Sequence, residues 1–152
     1  MITYFFIAPM QLQPVSFKKT LNRAYRLLKP SREEINLFKN NLIRLLERID
    51  HEESEENVKG HLRDFLNDTW YKDKHLIATK GRTDLVIHEE RSAQSKAAVL
   101  FEVKRPKNAA DMISNSNLNA KALHELVLYY LRERVEAQNS DIKYLAITNI
   151  YE

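Results

Sequence analysis

The spacing of apolar positions changes along the chain, and the changes mark out its elements. From residue 16 to residue 49 apolar side chains recur at intervals of three and four, the period of helices packed along one face. Within SFKKTLNRAYRLL, Phe17, Leu21, Tyr25 and Leu28 form one stripe, and Ser16 is placed to cap it. Pro30 interrupts the pattern. SREE at 31–34 then has the spacing of a capping box, Ser31 with Glu34, and predicts a helix carrying Ile35, Phe38, Leu42, Leu45, Leu46 and Ile49 on one face. After the acidic break DHEESEE a third helix is expected over roughly 54–67, with Val58, Leu62, Phe65 and Leu66 inward.

Beyond Trp70 the period drops to two. HLIAT, TDLVIHE and AAVLFEVK read as strands, and ERSAQSK as the polar loop of a hairpin between the last two. NAADMISNSN, rich in Asn and Ser, leads into a long helix, NLNAKALHELVLYYLRERVEAQ, with Leu123, Leu126, Val127 and Tyr130 as its expected apolar stripe. IKYLAIT is a further strand. Helices, a β-meander, a crossover helix and a strand predict an α/β fold with a mixed central sheet flanked by helices.

A chain of 152 residues with 43% apolar content can bury one core, so a single domain is expected, with a helical N-terminal extension over 1–50 and the core over 51–152. Only two glycines and four prolines occur, which favours long regular elements. There is no cysteine, which excludes a disulfide framework and a thiolate metal site. His51, His61 and His75 lack zinc-ligand spacing. The formal charge of +3 leaves the question of an anionic partner to local patches. MITYFFIAPM is apolar but has no basic flank and is too short to cross a bilayer. It reads as a core-docked or pairing segment, and the protein as soluble, cytoplasmic and without a membrane partner. The stop immediately after a strand, at TNIYE, reads as a cut within a longer protein.

VLFEVKRP, 99–106, is where the pattern carries chemistry. Glu102 and Lys104 share one face of a strand with Leu100, and ionised groups are costly to bury unless paired, hydrogen-bonded or bound to a metal. On the preceding strand Asp84 shares a face with Val86 and His88, and a hairpin brings it beside Glu102. Two such carboxylates repel unless a cation lies between them, and Mg²⁺ takes one or two carboxylates with water and phosphate oxygens. The Val103 carbonyl is a further candidate oxygen. An isolated E-x-K in a strand is more often a solvated face or a structural ion pair; Asp84 on the neighbouring strand shifts that balance.

The ordered set Asp84, Glu102-x-Lys104 resembles the PD-(D/E)XK nuclease superfamily over about 51–148, with Thr83 in the place of the motif's proline. KGRTDLVIHEE, FEVKRP and NLNAKALHELVLYYLRER are similar to the N-terminal endonuclease region of type IIG restriction-modification enzymes. The resemblance implies a restriction-endonuclease-like core acting as a metal-dependent endodeoxyribonuclease on double-stranded DNA. Asp84, Glu102 and the Val103 carbonyl would hold Mg²⁺, for which Mn²⁺ substitutes, and Lys104 would orient or deprotonate the attacking water. Whether one metal or two act stays open. Glu55, inward-facing at about 100° per residue beside Val58 and Leu62, is a candidate auxiliary ligand, against the plain reading of an acid favoured at a helix N-terminus. Lys80, Arg82, Arg105 and Lys107 flank the strand ends as candidate DNA-phosphate contacts.

The same resemblance places methyltransferase and target-recognition regions in the full-length polypeptide. Neither an NPPY-like motif, a Gly-rich cofactor loop nor a base-reading helix-turn-helix occurs in this stretch. The N-terminal helices are left to pack on the sheet, widen a DNA groove or form a homodimer. Two other readings stand beside this one. The first is a repair or junction-resolving nuclease; the second is a catalytically silent binding module, against which the intact Asp84, Glu102 and Lys104 argue.

Overall fold

The computed structural model describes residues 13–152, and the expectation for MITYFFIAPM lies outside them. The chain divides into two compact units, Met1–Ser31 and Arg32–Glu152. In the first, the single helix expected over SFKKTLNRAYRLL is two short ones, α1 (Phe17–Thr20) and α2 (Arg23–Leu27). Asn22 is the reason for the break. Its Oδ1 accepts from the Ala24 N–H at 2.9 Å, so the side chain caps a new helix instead of continuing the old one.

The second unit holds the sheet. Helix α3 (Arg32–Arg48) starts directly after Ser31, where the capping pattern puts it, and lays Leu45 and Asn41 against the following helix. Its stripe is partly as expected: Ile35, Phe38, Leu42 and Ile49 are half-buried, whereas Leu46 is exposed. Helix α4 (Glu55–Leu66) is capped by Ser54, whose Oγ accepts from the Asn57 N–H at 3.2 Å, and it buries Val58, Leu62 and Leu66. A π-helical turn, Asn67–Tyr71, extends it. There the buried Thr69 hydroxyl donates to the Phe65 carbonyl at 2.6 Å and accepts from Asn41 Nδ2 at 3.2 Å, tying α3 to α4.

The strands are β1 (Ile77–Lys80), β2 (Thr83–His88), β3 (Ala97–Val103) and β4 (Tyr144–Thr148), in the sheet order β1-β2-β3-β4. β1, β2 and β3 form an antiparallel meander and β4 joins β3 in parallel, so the sheet is mixed, as the element order predicts. The turn between β1 and β2 has two residues, with Gly81 at φ +61°, a conformation that favours glycine in the first position of a type II′ turn. Helix α5 (Lys121–Leu131) makes the crossover that a parallel pair requires and runs on into a π-helical segment, Arg132–Glu136.

The sheet is covered on both faces, giving an α/β architecture. Leu85, Ile87 and Val103 pack with Val58, Leu62 and Leu66 of α4, while Val86 and Leu100 pack with Leu126 and Tyr129 of α5. The α5 stripe is therefore turned from the expected one: Ala122, Leu126 and Tyr129 are buried, Tyr130 is half-buried and Val127 is exposed. Among the described residues no helix is long and apolar enough to cross a membrane.

Candidate functional site

β2 and β3 pair with Leu85 opposite Phe101 and Val86 opposite Leu100. Continuing that register sets Asp84 opposite Glu102, at the end where β2 begins and β3 stops. Asp84 Oδ2 accepts from the Val103 N–H at 2.7 Å, so the carboxylate is bonded to the neighbouring strand's backbone. One residue on, the Lys104 N–H donates to the Thr148 carbonyl at 2.9 Å, which holds the start of the exit loop against β4. Glu102 and Lys104 are each only 2% exposed, and Asp84 is 7% exposed.

Two helices complete the cluster. From α5, Glu125 Oε2 accepts from Lys104 Nζ at 2.8 Å, while Glu102 Oε1 lies 2.5 Å from the same ammonium. From the first turns of α4, Lys59 Nζ sits 2.6 Å from Asp84 Oδ1 and 3.6 Å from Glu55 Oε1, and Glu55 Oε2 is 3.9 Å from Lys104 Nζ. Glu55, Asp84, Glu102 and Lys104 are thus brought together as the sequence pattern requires. The sequence pattern does not single out Lys59, and Glu125, like His124, reads as ordinary helix surface ahead of a polar contact with the site. Both had a legible signal, since Lys59 follows Glu55 by one helical turn, and Glu125 lies one residue before the core position Leu126.

The electrostatics follow from burial. Desolvation pushes the Glu102 carboxyl up to about 8, reinforced by the nearby Asp84 charge and by Glu125 and opposed by Lys104. Glu102 therefore favours its protonated form near neutral pH. Glu102 Oε2 is buried with no hydrogen-bond partner. For Lys104 burial works against the charge, but hydrogen bonds to Glu102 and Glu125 outweigh it and hold the ammonium above its ordinary pKa. Lys59 is raised in the same way, burial opposing and Asp84 prevailing. Burial and then the Glu102, Glu125 and Asp84 charges also push the Tyr129 hydroxyl up.

Four carboxylates (Glu55, Asp84, Glu102, Glu125) surround two ammoniums (Lys59, Lys104), an excess of two negative charges when all are ionised. That excess, hard oxygen donors and the orphaned Glu102 Oε2 fit a divalent cation such as Mg²⁺. Among the described residues, no three acidic or histidine side chains already converge on a single point.

A groove of about 410 Å³ lined by Glu55, Arg105, Lys107, Asn108, Asp111 and Lys121 shares Glu55 with the cluster. Lys121 also lies 3.8 Å from Glu125. Of the four flanking cations singled out in the sequence, Arg105 and Lys107 line this groove, Lys107 paired with Glu52 at 2.6 Å. Arg82 is exposed in the β1–β2 turn. Lys80 is bound at 2.5 Å to Glu133, a buried acid on the segment after α5 that periodicity alone did not mark. His88 is buried, with Nδ1 2.9 Å from the Ser95 carbonyl, a structural contact in the β2–β3 loop. His124 is exposed.

Neither a curated protein nor a solved structure matches the chain. The family described as "Domain of unknown function (DUF7149)" matches residues 15–152, which include every helix and strand named above, and the chain belongs to that family.

Proposed function

We propose that the chain is a metal-dependent endodeoxyribonuclease domain with a restriction-endonuclease-like core, the cleaving part of a IIG-like restriction-modification enzyme. Its substrate is double-stranded DNA, and methylation and target recognition belong to other regions of the same polypeptide. The observation that carries this reading is one constellation. A buried carboxyl, Glu102, stands on the same strand face as the buried Lys104, and Asp84 on the paired strand is anchored to the Val103 N–H at 2.7 Å. Nothing in folding the sheet requires three buried ionisable groups at one strand end, and their desolvation opposes stability. A site that needs them accounts for the cost.

In this reading Asp84, Glu102 and the Val103 carbonyl would hold Mg²⁺, with Glu55 at hand from α4. The bound ion supplies Lewis-acid polarisation of the scissile phosphate and a more acidic water. The chain's own residues do the rest. Lys104 enters as an ammonium, because its two carboxylate partners hold its pKa above the usual value. It therefore orients the attacking water and stabilises negative charge developing on the phosphate, and is poorly suited to remove the proton itself. Glu125 fixes the Lys104 ammonium from the far side at 2.8 Å, which sets the direction in which the charge points. Arg105, Lys107 and Lys121 on the groove contact backbone phosphates without reading sequence.

The test is nicking of supercoiled plasmid in Mg²⁺ or Mn²⁺, comparing wild type with Glu102→Gln and Lys104→Met, alongside calorimetry of metal binding and circular dichroism to establish folding. The expected result is metal-dependent nicking by wild type and its loss in both folded variants. Metal binding by wild type that Glu102→Gln abolishes, without nicking, identifies a metal site that needs the rest of the polypeptide to cut. Equal, negligible metal binding in wild type and Glu102→Gln sinks the proposal and leaves the cluster as a structural ion-pair network.

A further inference from the structure

Both oxygens of Asp84 are engaged in this structure. Oδ2 takes the Val103 N–H at 2.7 Å, a bond that helps hold β2 to β3, and Oδ1 takes Lys59 Nζ at 2.6 Å. Each oxygen keeps a second lone pair, but an ammonium 2.6 Å from Oδ1 repels a cation approaching the same carboxylate until it moves away. The Val103 N–H is part of the backbone and cannot leave without opening the strand pair. Lys59 can. It sits on a flexible four-carbon stem, and its own helix offers it a second resting place. Glu56 Oε2 lies 3.5 Å and Glu55 Oε1 3.6 Å from the same ammonium, at the i−3 and i−4 positions of α4. Glu56 faces solvent, with its side chain 79% exposed, so an ammonium shifted toward it is rehydrated and not stranded.

We propose that Lys59 is a resident counter-cation that competes with the divalent metal for Asp84, and that metal loading requires its ammonium to move from Asp84 onto Glu56. The inference rests on the nuclease reading, in that it takes Asp84 as a metal ligand. Its consequence is a threshold. A monovalent ion gains too little from Asp84 and Glu102 to displace a paired ammonium, whereas a divalent ion carries the charge to do so.

The test is calorimetric titration of Mg²⁺ alone into wild type, Lys59→Met, Lys59→Arg and Lys121→Met, with circular dichroism melts of each metal-free protein. Lys59→Met is expected to bind Mg²⁺ at least tenfold more tightly than wild type and to melt lower without metal. Lys59→Arg is expected to bind no more tightly than wild type. Lys121→Met removes a nearby groove cation that does not touch Asp84, and is expected to change affinity by less than threefold. Equal affinity in wild type and Lys59→Met overturns the inference while leaving the nuclease reading intact, and so does an equal gain in Lys59→Met and Lys121→Met. Absence of Mg²⁺ binding in all four proteins overturns the nuclease reading and the inference together. Should Lys59→Met fail to fold, wild type alone decides by NMR. The Lys59 ¹³Cε signal, assigned from its loss in Lys59→Arg, must move with Mg²⁺ occupancy, and a stationary signal refutes displacement.

Discussion

Replacing Glu102 by glutamine tests whether the buried carboxyl keeps its proton. In the folded protein Glu102 titrates near 8, against an ordinary value of 4.5. Between those values the folded state holds a proton that the unfolded state has released, so stability falls as pH rises through this window and levels off above 8. At about 1.36 kcal/mol per pH unit, the span from 4.5 to about 8 sets a ceiling of about 5 kcal/mol on the loss. Solvent reaching the cluster through the adjoining groove brings the working figure to about 2–5 kcal/mol. Other shifted groups do not interfere. Lys59 and Lys104 are raised and lose stabilising charge only above the usual lysine value, whereas Glu125 is lowered and matters only in acid. Titrating groups outside the cluster are common to both proteins and cancel in the difference. Glutamine has the shape of the protonated acid and no charge to lose. Melting followed by circular dichroism in metal-free buffer from pH 5 to 9 is therefore expected to give similar midpoints for the two proteins at the acid end. At pH 9 the variant is expected to melt roughly 4–20 °C higher. Parallel curves for the two proteins would refute the reasoning. They would mean that Glu102 is ionised throughout, as the permanent partner of Lys104.

Three further outcomes follow from the packing and the groove. Lys80→Met is expected to cost about 1–3 kcal/mol in urea unfolding, because it leaves the buried Glu133 without its ammonium, and to leave plasmid affinity unchanged; lost affinity at constant stability would restore Lys80 as a DNA contact. Leu100→Ala is expected to cost about 2–5 kcal/mol, since Leu100 is fully buried on a strand paired on both sides and packs against Leu126 and Tyr129; a loss below 1 kcal/mol would mean the α5 face is loosely packed. Arg105→Ala is expected to weaken metal-independent plasmid binding and to reduce its salt dependence by about one phosphate contact, measured by anisotropy at several salt concentrations; an unchanged slope would remove Arg105 from the interface.

How far the sequence could be read depends on which elements carry the information. Strand residues were legible because an antiparallel hairpin fixes its register: once TDLVIHE and AAVLFEVK pair, Asp84 has to face Glu102. Helix faces were legible only where one side is polar. In α4 the charged residues leave a single apolar stripe, and Val58, Leu62 and Leu66 are buried as read. In α5 the run LVLYYL is apolar nearly all the way round, so periodicity does not choose a face. Ala122 is fully buried on the observed face, and a small residue adds little to a hydrophobic stripe on paper. With that face inward, Glu125 moved from an expected helix surface into contact with Lys104. In the first unit, one asparagine outweighed the apolar period of SFKKTLNRAYRLL by offering its side chain as a cap.

The same division separates two jobs at the strand ends. Asp84, Glu102 and Lys104 are placed by backbone hydrogen bonds between strands, so their positions are as fixed as the sheet itself. Glu55, Lys59 and Glu125 arrive on helices and reach the cluster only through long side chains. A substitution among the first three removes a donor or the central ammonium outright. One among the second three leaves those atoms in place and changes how many charges surround them. On the nuclease reading, the helix-borne residues are therefore where metal affinity and pH dependence can be altered while the sheet stays intact. Glu125→Gln is the clearest case. It removes one of the two carboxylates holding Lys104 within 2.8 Å and frees that ammonium's claim on Glu102. Glu125, which favours the protonated form of Glu102, is also lost as a carboxylate. Both changes lower the Glu102 pKa, so the midpoint of the stability-versus-pH curve is expected to move toward acid in Glu125→Gln. A midpoint that stays put would show that burial, and not Glu125, sets it.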